Sequence, residues 1–235
     1  MKEQEFTYIF QFPDGAHFRY PLRIDDDTRL LTPAPSETLP DWTLLEPGQC
    51  PHCPLTKDRS PRCPVAVNIA QLVEAFREVN STLPVKITVH TEARTYLKEG
   101  PVQRGLSSIL GLIMATSGCP HLNFLKPMAR FHLPFQTAEE TIVRSTSLYL
   151  LGQYFIAKRG GSPDLALRKL EEAYARVQQV NASLSERIRS AAEAGRGDAT
   201  SNAVVILDTV SQLLSLAIED DLDDIEGLFN DLRIG

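Results

Sequence analysis

The residues best placed to do chemistry are four cysteines, Cys50, Cys53, Cys63 and Cys119, each followed directly by proline in the strings CPHCP, RCPV and GCPH. Cys50 and Cys53 have C-x2-C spacing, at which a tight turn can aim two thiolates at one ion, and two more sulfurs would close the tetrahedron that zinc prefers. Proline after a cysteine removes an amide beside the sulfur and fixes the local path, so one shared geometry at all four positions is the expectation. The spacing thus predicts a structural or regulatory metal centre made by Cys50, Cys53, Cys63 and Cys119. Zinc is the expected cofactor. A [4Fe-4S] cluster is the alternative, because Cys-Pro also occurs in iron–sulfur ligand runs. His121, two residues past Cys119, is the reserve ligand, while His52 inside the C-x2-C turn is expected to face away from the ion. The string CPHC also occurs in thioredoxin-like oxidoreductases, but the strand–turn–helix setting they need is absent here.

A second polar constellation is Lys126, Arg130 and His132 in the segment TSGCPHLNFLKPMARFHLPF, residues 116–135, which otherwise reads as core. Polar groups amid apolar ones suggest a pocket, and an enzyme using it is a further alternative. The bland reading is that the cations pair with acids such as Glu139. No phosphate-binding glycine loop or nucleophile elbow accompanies them, and a catalytic set is not expected. The acidic run at residues 219–224 lacks the EF-hand pattern and reads as a solvated helix junction.

These residues need elements to position them. Phe6, Tyr8, Phe10 and Phe12 alternate with other residues, Pro13-Asp14-Gly15 turns the chain, and Phe18, Tyr20, Leu22 and Ile24 alternate again, which predicts a hairpin. Val85, Ile87 and Val89 predict a further strand of the same sheet. Helices are expected at 65–79, behind Pro64, and at about 106–118, ending at Gly118. The proline-rich stretch 25–64 has no period, and a metal clip is its expected anchor. Thr137 to Glu140 matches a capping box and opens a helix that stops at Gly160-Gly161. Next, Leu170, Tyr174, Val177, Asn181, Leu184 and Ile188 form a seam that wants a partner helix, with Asn181 setting register. Asp198, after Gly195 and Gly197, is expected to cap another helix, and a last one carries Leu222, Ile225 and Leu228. The fold class read from this is α+β: a mixed region over 1–135 around a small antiparallel sheet, then an antiparallel helical bundle over 136–235, the two perhaps continuous.

Composition bounds the function. A chain of 235 residues, 43% hydrophobic and 23% charged, is long enough to bury a core without disulfides. Its formal charge of -6 argues against a nucleic-acid partner. The charged start MKEQEF lacks a secretory apolar run, and the longest apolar stretch, near Ile109 to Ala115, is short of a bilayer span, so a cytoplasmic protein without a membrane partner is expected. The helical half could serve a homo-oligomer or a protein partner.

The strings CPHCPL, RCPVA and TSGCPHLNFLKPMARFHLPF resemble those of an uncharacterised family of bacterial proteins. The resemblance covers most of the chain and implies a bacterial source and a matched set of cysteines. It implies no activity.

Overall fold

A computed structural model describes residues 2–32, 38–191 and 197–232. Strands β1 (Glu3–Gln11) and β2 (His17–Asp25) form the hairpin, with Tyr8 opposite Tyr20 and Phe10 opposite Phe18. Its turn is closed by the Asp14 carboxylate, which accepts from the Ala16 amide at 2.9 Å. Strands β3 (Pro84–Thr91) and β4 (Thr95–Pro101) complete an antiparallel sheet of order β2-β1-β3-β4. Alternation puts Phe6, Tyr8, Phe10, Ile87 and Val89 on one face, all essentially inaccessible to solvent. β4 is a largely exposed edge strand.

Helices α1 (Pro64–Ala75) and α2 (Val102–Thr116) follow. α2 comes so close to the sheet that a side chain at Gly105 would meet the Phe10 ring at 2.5 Å and Ile87 at 2.8 Å. Only glycine fits there. A 3₁₀ turn over Pro120–Leu125 leads into the short helix α3 (Lys126–Arg130). The long helices are α4 (Ala138–Lys158), α5 (Arg168–Ala191) and α6 (Ala199–Glu219), with the single turn α7 (Asp223–Glu226) after them.

The capping box at the start of α4 is made: Thr137 accepts from the Glu140 amide at 3.1 Å and Glu140 returns to the Thr137 amide at 2.7 Å. The seam of α5 is buried, with Leu170, Tyr174, Val177, Leu184 and Ile188 all under 7% exposed, and α6 is the helix packed along it. One cluster of buried side chains runs without a break from Phe6 in the sheet to Ile218 in α6, joined through α2. The expected cap of α6 is different. Asp198 makes no side-chain cap and instead accepts from the Ser81 amide at 2.7 Å and the Ser81 hydroxyl at 3.1 Å, tying the start of α6 to the segment before β3. Gly195 lies outside the described residues.

Two surfaces depart from ordinary patterning. α4 buries Thr141, Ser145, Thr146 and Gln153, while Leu151, Tyr154, Phe155 and Ile156 in its last turns are exposed. Among the described residues α6 is the one helix long and apolar enough to cross a bilayer by length and composition, and its contacts with α2, α4 and α5 give it a place in the fold.

Candidate ligand-binding cavity

The expected metal centre is not present. Among the described residues no group of three or more histidine, cysteine, aspartate or glutamate side chains is placed to hold an ion. Cys50, Cys53, Cys63 and Cys119 are free thiols, and neither zinc nor a [4Fe-4S] cluster has a ligand set. The reserve ligand His121 is committed elsewhere: its Nε2 donates to the His52 carbonyl at 2.9 Å, with the two rings 4.1 Å apart.

The prolines have local explanations. Cys50, Pro51, His52 and Cys53 form a turn closed by the Cys53 amide on the Cys50 carbonyl at 3.0 Å, with proline in the second position, where its fixed φ suits the turn. Cys63 and Cys119 each stand immediately before a helix, α1 and the 120–125 turn, whose first residue is proline. We have no comparable account of Pro54. Burial pushes the Cys119 thiol up to about 11, and burial also raises that of Cys50, with smaller contributions from the neighbouring thiols in both cases. Cys119 lies in the core, and Cys50 and Cys63 pack against it as small apolar side chains.

The anchor of the irregular stretch is a guanidinium rather than a metal. Arg187 on α5, 6% exposed, donates to the carbonyls of Trp42, Leu44 and Leu45 at 2.8, 2.5 and 2.6 Å. A side chain at Gly48 would strike this guanidinium at 2.8 Å, so glycine lets the loop close over it. The stretch also pairs with itself, the Cys63 amide on the Thr43 carbonyl and the Leu45 amide on the Pro61 carbonyl, each at 2.9 Å.

The polar residues of 116–135 diverge, and an active site gathered from that segment is corrected with the metal centre. Lys126 donates to the Thr28 carbonyl at 3.3 Å, and Arg130 pairs with Asp26 at 3.1 Å rather than with Glu139. His132 turns inward, its Nε2 2.6 Å from the Tyr8 hydroxyl and its ring edge-on to Phe6. The Tyr8 hydroxyl also meets Ser108 at 2.8 Å. Part of the His132 residue reaches solvent, but its ring is packed, and burial followed by the charge of Arg144 holds the imidazole well below the ordinary histidine range. Burial likewise holds the Tyr8 hydroxyl far above its ordinary range.

His132 and Ser108 stand in the wall of a cavity of about 600 Å³ bounded by α2, α3, α4, α5 and α6. Leu112, Leu122, Met128, Val177, Leu207 and Val210 give it an apolar lining. Its volume falls in the ordinary range for small-molecule sites, and helix junctions are a common place for them. Asn181 of α5 also lines it and is 1% exposed. Its amide nitrogen donates to Asp208 of α6 at 3.4 Å, while its Oδ1 is buried without a partner. The sequence reading gave Asn181 a register role against an unnamed partner helix and did not foresee its free acceptor. The signal was a polar residue in an apolar seam. A larger groove of about 920 Å³ lies between α1 and the 38–42 segment.

The chain belongs to the family described as domain of unknown function DUF6901, which matches residues 6–230. Comparison with curated proteins and with solved structures finds no match.

Proposed function

We propose that this chain is a binding protein for a small, largely apolar molecule that occupies the cavity among α2, α3, α4, α5 and α6. The observation that carries the reading is Asn181. A buried carbonyl oxygen without a hydrogen bond costs about 1–3 kcal/mol, and the contact of Nδ2 with Asp208 forbids turning the amide over to relieve it. A ligand with one N–H or O–H donor that displaces the side chains covering this oxygen would satisfy it. The apolar lining supplies the remaining affinity through buried area.

The test uses N-phenyl-1-naphthylamine, a neutral fluorophore with one N–H donor. Wild-type protein should bind it saturably with one site per chain. Gly111→Phe should abolish the signal, because Gly111 lines the cavity and a first side-chain atom there makes only ordinary contact with Leu207 at 3.5 Å, leaving the ring to enter the open space. If that variant misfolds, Ala138→Trp at the rim serves instead. Saturable binding unaffected by a folded blocking variant would refute the reading.

A further inference from the structure

We infer that the ligand of this cavity is an amphipathic anion, an alkyl or acyl chain bearing a carboxylate or phosphate, whose head is held at the rim by Lys98, Arg104 and Arg144. The inference rests on the proposed binding function and adds the chemical class of ligand.

Charge distribution carries it. The chain has thirty acidic side chains against twenty-four basic ones, yet among the described residues the cavity is lined by three Lys and Arg side chains and by no aspartate or glutamate. Lys98 comes from β4, Arg104 from the first turns of α2 and Arg144 from α4, so three elements separate in sequence bring like charges to one space. Such convergence costs repulsion unless something negative offsets it. Among the described residues none of the three is in an ion pair.

The three cations differ in how they are held. Arg144 is half-buried and fixed by bonds to the Phe131 carbonyl and, at 2.5 Å, to Gln136 Oε1. Burial depresses its pKa, and Glu140 offsets that only in part. Lys98 and Arg104 are exposed at the rim and make no side-chain hydrogen bond among the described residues, so both are free to close on an incoming head group. A guanidinium is suited to bidentate capture of a carboxylate or phosphate. Beyond the rim, Met114, Leu122, Leu125 and Met128 offer an apolar path for the chain, and thioethers adapt to tails of different shape.

The experiment is competition against bound N-phenyl-1-naphthylamine with dodecanoate, dodecanol and inorganic phosphate, on wild-type protein and on the Lys98→Gln/Arg104→Gln double variant. Both substituted side chains are exposed, so the fold is unaffected. Dodecanoate should displace the probe at least about tenfold more tightly than dodecanol, with a preference that falls as salt rises, and the double variant should lose that preference while binding dodecanol as before. Equal displacement by dodecanoate and dodecanol overturns the anionic class and leaves the binding function standing. Displacement by phosphate alone, as effective as dodecanoate, overturns the amphipathic class. Failure of the wild type to bind the neutral probe in the first place overturns both.

Discussion

Asn181, in the wall of the cavity, gives its amide nitrogen to Asp208 at 3.4 Å and leaves its oxygen buried with no hydrogen-bond partner in the chain. The pair joins α5 to α6 where residues of both helices line the cavity, and under the proposed binding function the same side chain both packs and recognises. A leucine there would complete the seam without either property.

Arg187 sets the first prediction. Its three carbonyl bonds hold the segment 42–45 on α5, so Arg187→Ala should leave three carbonyls unsatisfied and cost about 3 kcal/mol or more, seen in chemical denaturation. Hydrogen exchange should rise first in residues 42–48. A chelator should leave the melting temperature of the wild type unchanged. A large loss of stability on chelation, with a mild effect of Arg187→Ala, would restore a metal as the anchor.

Arg187 also shows what the sequence conceals. It sits three residues after Leu184, within the apolar period of α5, yet a lone arginine on a charged helix gives no hint that its partners are carbonyls some 140 positions earlier. The sheet hairpin and the α5 seam were legible because apolar periods of two and near 3.6 report burial directly, whereas α4, whose buried face is polar, was legible from its capping box and the Gly160-Gly161 stop. β4 was not, since an edge strand reading TYLKEGP buries too little to alternate. α3 was hidden by Pro127 within the helix itself. The cysteines were misread because proline at turn and helix starts produces the same string as proline beside metal ligands. The cavity was legible only in part: the 116–135 segment that suggested a pocket supplies Leu122, Met128 and His132 to its wall, but the rest comes from α2, α4, α5, α6 and β4, which carry no such pattern.

The thiols should follow burial. Cys119, with its thiol pushed up to about 11, should be alkylated last in native protein at neutral pH, after the half-buried Cys53 and Cys63, as mapped by mass spectrometry of labelled peptides. Its contribution to stability is fully present below the ordinary thiol value near 9 and is lost as pH rises through about 11. Rapid labelling of Cys119 at neutral pH would contradict the packing described.

His132 predicts the opposite pH dependence. Its folded value is depressed toward about 3 from an ordinary value of 6.5, so the folded state holds it neutral. The corresponding stability is present above pH 6.5 and declines as pH falls below it. Unfolding midpoints measured between pH 7 and pH 5, above the main carboxylate range, should fall for the wild type and stay flatter for His132→Gln. Parallel slopes would mean that the ring is not held neutral by the fold.

Gly105 tests the packing between α2 and the sheet. Gly105→Ala places a methyl 2.5 Å from the Phe10 ring, and should destabilise by about 1–3 kcal/mol despite alanine's better helix propensity. A gain in stability would show that the helix stands farther from β1 than described.

The most direct test of the binding function compares wild type with Asn181→Leu by titration of N-phenyl-1-naphthylamine, with thermal midpoints measured on the same samples. Removing an unpaired acceptor offsets the loss of the long 3.4 Å bond to Asp208, which keeps its bond from Gln212, so the midpoint should change little, while the probe loses its hydrogen bond and binds about tenfold more weakly, as a net bond of roughly 1–1.5 kcal/mol implies. Identical affinities for the two proteins, or a wild type that shows no saturable site, would contradict the account.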